Sequence, residues 1–236
     1  MHLLFISCIV LPAAVSAQTA AEIIKKNIAA KGGEEKLRGI QSITRKGVIT
    51  LVSSKMTFPV TSVRQRPNLL RSETLFQNKK MIDGYDGTTA WAISPMLGGK
   101  GEKAVKMPAG DAQALIEEAQ FDHPFLRPDD YEITLVGSDS YLGEDVFVLK
   151  LSRSKVNFDY YFINSETWLE MKKVSTRVIK GKTIETTSRY KDYKNVNGIL
   201  VAHRTESRGV QRSQFEITSI VFNKKYSSAY FAMPSN

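Results

Sequence analysis

Over most of its length the chain is a succession of short runs in which apolar and polar residues alternate, separated by brief clusters of Gly, Asn, Asp, Ser and Pro. Alternation at period two puts successive side chains on opposite faces of a strand. Links this short admit only antiparallel neighbours, because a parallel crossover needs about a dozen residues or more. The runs fall at 43–52, 56–64, 69–77, 79–83, 88–93, 102–107, 131–136, 145–151, 158–163, 168–176, 183–193, 199–207 and 213–222. Gly137-Ser138, Asn164-Ser165, Gly181 and Asn197-Gly198 are among the turn signals between them. Phe147, Leu149 and Leu151 share one face of their run, and Phe215, Ile217, Ser219 and Val221 share one face of theirs. Phe158, Tyr160 and Phe162 alternate with Asp159, Tyr161 and Ile163. A sheet with one apolar and one mixed face wraps around something.

Residues 64–95 set the register of the first half. Leu69, Arg71, Glu73 and Leu75 alternate with Leu70, Ser72, Thr74 and Phe76; Asp86-Gly87 predicts a type I′ reversal, because Gly accepts positive φ at no steric cost. Thr89, Trp91 and Ile93 then recur at period two, and Pro95 ends the strand by removing a ladder donor. Trp91 is expected on the concave side.

The ordered set Arg66-Pro67-Asn68-Leu69-Leu70-Arg71, then Asp86-Gly87-Thr88-Thr89-Ala90-Trp91 and Pro95, resembles the LolA-like family of periplasmic lipoprotein-sorting proteins. The final Tyr230-Phe231-Ala232-Met233-Pro234 resembles the way that family's last strand closes, and the resemblance runs through most of the chain in element order. It implies a half-barrel that carries acyl chains, and it matches Arg66 to the family's arginine that ties a lid to the barrel. Guanidinium chemistry suits that role, offering several donors to carbonyls at helix ends. A surface arginine before a proline is the plain alternative.

Residues 1–17 read as a signal peptide. Leu3 to Val10 is apolar, too short to span a bilayer as a helix, and Ala13-Ala14-Val15-Ser16-Ala17 offers small residues for cleavage after Ala17. The n-region lacks Lys and Arg, which leaves the start codon open, and Cys8 lies inside the apolar run, where lipidation competes with ordinary cleavage. After cleavage no cysteine remains, so the chain stands on its hydrophobic core without disulfides or thiolate chemistry. The net charge of +9 is scattered through the strands. It reads as a solvated basic face, with attraction to anionic lipid as the functional alternative; export argues against nucleic acid.

Two helical pieces interrupt the strands. Ala20, Ile23, Ile24 and Ile28 form a stripe opposite Glu22, Lys25 and Lys26, with Thr19 as N-cap and Gly32-Gly33 as the stop; residues 34–38 add a turn with Leu37 inward. After Pro108, Asp111 is the expected N-cap of a helix carrying Ala112, Leu115, Ile116 and Ala119, followed by the apolar cluster Phe121, Pro124, Phe125 and Leu126.

Catalytic patterns are sparse. His123 and His203 have no metal-ligand spacing, there is no Gly-x-Ser-x-Gly elbow, and Gly181-Lys182-Thr183 lacks the first glycine of a phosphate loop, Thr176 standing in its place. Gly98-Gly99-Lys100-Gly101 reads as a flexible loop. Asp122, Asp129 and Asp130 could supply a carboxylate pair, with capping and turn formation as the simpler account.

The expectation is therefore one mainly β (α+β) domain over 18–236, a single curved antiparallel sheet forming an incomplete barrel. An N-terminal helix and a short helical lid cover its concave face. The expected function is a non-enzymatic, monomeric periplasmic carrier of lipoprotein acyl chains or lipids for sorting to the outer membrane, without cofactor or metal. Inner- or outer-membrane machinery is a further partner class. The expected lipid lining is Trp91, Phe58, Phe147, Leu149 and Phe162 with Leu115, Ile116, Phe121 and Phe125 from a lid over 111–126, and Arg66 is the expected gate. An envelope regulator or scaffold of the same fold, sensing lipid or protein, and a carboxylate-dependent hydrolase are the alternatives.

Overall fold

The structure is a computed structural model and describes residues 18–77, 79–95, 103–179 and 181–235. The leader with Cys8, the glycine loop at 98–101 and the first residue of the run expected at 102–107 lie outside the described residues.

Thr19 caps α1 (Ala20–Ala30) through a reciprocal capping box: its hydroxyl accepts the Glu22 N–H, and the Glu22 carboxylate accepts the Thr19 N–H at 2.8 Å. Gly32 and Gly33 take positive φ after the Lys31 C-cap and turn the chain into α2 (Glu34–Gly39). There follow β1 (Ser42–Leu51), β2 (Met56–Gln65), β3 (Leu69–Phe76), β4 (Lys79–Tyr85), β5 (Ala90–Ile93) and β6 (Val105–Lys106). Helix α3 (Ala109–Ala119) and two single 3-10 turns, Pro124–Leu126 and Pro128–Asp130, intervene. The second half is β7 (Glu132–Tyr141), β8 (Glu144–Ser152), β9 (Phe158–Asn164), β10 (Glu170–Ile179), β11 (Lys182–Val196), β12 (Ile199–Arg208) and β13 (Arg212–Phe222).

All thirteen strands join one sheet in the order β6-β5-β4-β3-β2-β1-β13-β12-β11-β10-β9-β8-β7. It is curved, antiparallel and open, with the helices on its concave face, as the alternation predicted. The β1–β13 pairing, Ile43 opposite Phe222 through Leu51 opposite Ser213, joins two meanders and leaves β6 and β7 as opposite edges. The chain between those edges must then cross the concave face.

Several local expectations are corrected. Gly137-Ser138 is no turn: β7 runs on to Tyr141, and the ladder to β8 skips Val136 in a register shift between Leu135 and Gly137. At the Asp86-Gly87 reversal only Gly87 has positive φ, so it is not type I′; the Asp86 carboxylate instead accepts the N–H groups of Thr88 and Thr89 at 2.9 and 2.7 Å. Helix α3 begins before Asp111, with Pro108 at the N-cap.

Trp91 faces away from the helices. Leu70 pairs with Tyr85 and Tyr85 with Ala90, and these three pack under Ala112, Leu115 and Ala119 of α3. The adjacent register line, Arg71–Gly84–Trp91, therefore points to the convex face. A small residue at position 90 lets α3 approach the sheet closely. Trp91 is nonetheless fully buried, because the C-terminal tail folds over it: its Nε1 donates to the Phe231 carbonyl at 2.9 Å, and Ile82, Ala104 and Met233 surround it. The Arg71 guanidinium lies 5.5 Å from its ring centroid and 5.0 Å from that of Tyr230. Ser42 and Thr44 extend the tail's anchorage, to the Lys224 carbonyl at 2.6 Å and the Tyr226 hydroxyl at 2.7 Å.

The indole lies flat on Gly84, where an added Cβ would meet Trp91 Cε2 at 2.2 Å. Gly84→Ala is expected to cost about 1–3 kcal/mol as an overpacking change, read as a lower urea midpoint at unchanged m-value; an unchanged midpoint would refute the close approach.

Candidate functional site

The crossing segment closes a cavity of about 290 Å³ over the middle of the sheet. Its floor is Ile43 of β1, Ile220 and Phe222 of β13, and Ile199 and Val201 of β12; its roof is Ile28 of α1, Leu37 of α2, and Phe121, Phe125 and Leu126 of the crossing. Three buried clusters flank it. Phe125 packs with Ile23, Ile24, Leu149, Leu151, Tyr161 and Ile163; Phe121 packs with Ile40 and Ile199; α3 packs on β3–β5.

Two arginines, Arg64 of β2 and Arg66 directly after it, hold the crossing down between the clusters. Arg66 grips Asp122 in a bidentate pair, Nη1 to Oδ2 at 2.6 Å and Nη2 to Oδ1 at 2.7 Å, while its Nε donates to the Ile40 carbonyl at the end of α2. Its guanidinium also lies 4.6 Å from the centroid of the Phe121 ring. Arg64 Nη2 donates to the carbonyls of Gln120 and Phe121 at 2.5 and 2.7 Å, where α3 ends and carbonyls lack helical partners. Burial, with Arg45 nearby, pushes the Arg64 guanidinium down to about 10. Arg38 of α2 donates to the Leu126 carbonyl at 2.9 Å. Sequence reasoning singled out Arg66 but missed Arg64, although the two fall on one face at period two.

At the α1 side of the cavity sits a second polar group. Glu170 of β10 accepts Lys31 Nζ at 2.8 Å and the Tyr193 hydroxyl at 3.1 Å. His123 Nδ1 accepts the Phe125 N–H at 3.2 Å, and its Nε2 faces Glu170 Oε1 at 3.5 Å. Burial, reinforced by Lys31, pushes His123 down to about 3, so it is neutral at physiological pH. Burial opposes the Glu170 carboxylate, but Lys31 and His123 outweigh it and hold it at about 2. Among the described residues no group of three or more His, Cys, Asp or Glu is placed to hold a metal, and no helix is long and apolar enough to cross a membrane.

No protein-family model matches the sequence, and no curated protein matches it. Solved structures do. A LolA superfamily protein from Nitrosomonas europaea superposes with a TM-score of 0.61 at 14% identity, over 92% of this chain and 98% of that one. The chain has a LolA-like fold. A domain named for outer membrane lipoprotein sorting, from Vibrio parahaemolyticus, gives 0.58 at 14% identity over 89% and 95%. A DUF1329 family protein from Desulfovibrio piger gives 0.62 at 10% identity over 92% and 98%.

Within this LolA-like fold the expected lining residues are dispersed. Phe121 and Phe125 line the cavity. Leu115 and Ile116 pack with α3 on β3–β5, and Leu149 is fully buried beneath α1, with Phe147 stacked 5.6 Å from Trp168 at its margin. Phe58 meets Phe76 at 5.7 Å, far along β2 from the cavity. Phe162 is corrected along with Trp91. It pairs with Val148, out of phase with inward Tyr161 and Ile163, and lies against Tyr141 with Lys172 Nζ 3.5 Å from its ring centroid. The carboxylates Asp122, Asp129 and Asp130 do not converge: Asp122 is paired with Arg66, Asp130 with Arg127 at 2.8 Å, and Asp129 is exposed.

Arg66→Leu removes three hydrogen bonds to the crossing and to α2. It should cost on the order of 2 kcal/mol and raise amide exchange at 120–126 while leaving exchange in β8–β12 unchanged. Uniform loss of protection, or none, would count against a local clamp.

Acid should weaken the fold through His123. Between its unfolded value of 6.5 and about 3, only the unfolded chain takes up the proton, so stability falls as pH drops through that window. Glu170 adds a loss in the same direction between 4.5 and about 2. His123→Gln should flatten the upper part of the profile, where one group sets a slope of at most about 1.4 kcal/mol per pH unit. Urea midpoints from pH 7 to pH 4 decide it, and parallel profiles would exclude His123.

Proposed function

We propose that the chain is a periplasmic carrier that binds acyl chains of lipoproteins or lipids, with residues 1–17 as its export signal. The observation that supports this reading is the cavity itself: a largely apolar floor and roof, covered by a segment held at its midpoint by arginine hydrogen bonds and the packing of a single large side chain, Phe121. An apolar cavity dissolves acyl chains at roughly 0.8 kcal/mol per buried CH₂. Reversible loading needs a closure that opens cheaply. Phe121 gives up its contacts with Ile40 and Ile199 on opening, and a cargo chain offers the same kind of surface, so burial is exchanged rather than lost. The fold carries outer membrane lipoprotein sorting in the name of one structural neighbour, which favours a transport role over catalysis. Arg66 serves as the gate.

The test is displacement of a fluorescent acyl probe by alkyl compounds of increasing length. Affinity should rise by up to about 0.8 kcal/mol for each CH₂ until the cavity is filled. Arg66→Leu should speed probe release while circular dichroism shows the fold intact. A folded protein that binds no alkyl probe would refute the carrier, and unchanged release kinetics in Arg66→Leu would remove that residue from the gate.

A further inference from the structure

The charges that line the cavity are not balanced. Lys31 is matched by Glu170, and Asp122 by Arg66. His123 is neutral. That leaves Arg45 and Arg64, which stand on neighbouring strands on the same face, since Ile43 pairs with Arg64 and Arg45 with Ser62. Arg64 spends one nitrogen on two carbonyls, and its Nε is buried with no acceptor. The Arg45 side chain makes no hydrogen bond or ion pair among the described residues, its backbone lying in the ladders to Ser62 and Ile220. The carboxylate acting on it is that of Glu118, an exposed residue of α3 whose field water screens.

A buried donor with no acceptor, such as Arg64 Nε, costs free energy at the wall of an apolar cavity, and two guanidinium groups on neighbouring strands repel each other. Burial lowers the proton affinity of both, and Arg45 lowers that of Arg64 further. Guanidinium presents a planar fork of donors that fits carboxylate and phosphate oxygens in pairs. Apolar walls beside that fork suit a hydrocarbon tail. In its clamped form the cavity is at the small end of ligand pockets, roughly 300–1,000 Å³, which suits one chain better than several.

We propose that Arg45 and Arg64 form a headgroup subsite, and that the cavity takes a single-chain amphiphile with an anionic head, carboxylate or phosphate. This rests on the carrier reading above and names its ligand class. Arg45 is the residue free to meet the ligand, whereas Arg64 divides its donors between the crossing segment and the headgroup. A bound anion also relieves the repulsion between the two, so head and tail each favour closure.

The experiment compares laurate, dodecyl phosphate, dodecanol and dodecyltrimethylammonium as competitors of a fluorescent acyl probe, with inorganic phosphate as a chain-free anion. Wild type should bind both anionic amphiphiles about tenfold or more tighter than dodecanol, the scale of a charge-assisted bidentate contact. Dodecyltrimethylammonium should bind weakest, and inorganic phosphate should not compete at the same concentrations. Arg45→Gln should bring laurate to within about threefold of dodecanol, since the charge-assisted part of the laurate contact is lost. The headgroup comparison in wild type stands even where the variant fails to fold. Equal affinity for laurate and dodecanol would overturn the subsite and leave the carrier intact. Competition by phosphate as strong as that by dodecyl phosphate would overturn the amphiphile in favour of a bare anion site. Failure of every alkyl compound to bind would overturn both proposals.

Discussion

The pairing of β1 with β13 governs the rest of the molecule. It joins two meanders into one sheet and places β6 and β7 at opposite edges, although they are neighbours in sequence but for α3 and two short turns. The intervening chain must cross the open face of the sheet. An apolar sheet face needs cover, and a crossing segment needs apolar support, so each requirement meets the other. The consequence is a seam of three clusters with a space in the middle, because a crossing of this length rests firmly on β3–β5 through α3 and on β8–β9 through Phe125, and spans what lies between. The cavity follows from the topology.

What holds the span is polar. The carbonyls that follow α3 lose helical partners at the point where the chain leaves the sheet's support, and Arg64 and Arg66 supply donors there. Arginine suits this site because one guanidinium reaches several acceptors at fixed angles. The same choice brings charge into an apolar space. Asp122 answers Arg66, and Glu170 answers Lys31, but no carboxylate of the described residues hydrogen-bonds Arg45 or Arg64. The convex face shows the contrasting solution: Arg71 is taken up by Glu73 at 2.9 Å and by the rings of Trp91 and Tyr230, so the tail seals that side without leaving a space.

Much of the sheet was legible because period-two alternation is local. All thirteen expected runs overlap strands, and Thr19 caps α1 as its spacing predicts. Facing was less legible. A strand gives two sets of side chains, and only the partner elements decide which set is inside. Trp91 and Phe162 are large and aromatic, yet each belongs to the set that faces away from the helices, since Ala90 and Tyr161 occupy the inward positions. Covering by the tail made an outward Trp91 possible, and nothing local to residue 91 announces that cover. The polar groups of the cavity were hidden for a similar reason. Lys31, His123 and Glu170 come together only after β10 is brought beneath α1 and the crossing is laid over both. The spacing of Arg64 and Arg66 was a local signal of a clamp, and the family resemblance pointed to the second of the pair alone.

The uneven support of the crossing bears on how a carrier of this kind would open. Lifting α3 would expose Ala112, Leu115 and Ala119 together with Leu70, Tyr85 and Ala90 beneath them, and each large apolar side chain costs about 1.5–3 kcal/mol in water. Freeing only residues 120–123 exposes Phe121 and breaks the hydrogen bonds of Arg64 and the Arg66–Asp122 pair, charged contacts of about 1.5–3 kcal/mol each for which water or a ligand can substitute. The second motion exposes one large apolar side chain, where the first exposes Leu70, Tyr85 and Leu115. It leaves Phe125 seated among Ile23, Leu149 and Tyr161 and keeps α3 on its strands. The moving part of such a carrier would then be much shorter than the whole insert, with packed elements on both sides as its hinges. An acyl chain entering beneath Phe121 would restore the apolar contact just lost, while the arginines exchange backbone carbonyls for whatever acceptor the ligand brings. In such a carrier, opening and loading would be coupled through the same few side chains, with no demand on the sheet to change its curvature.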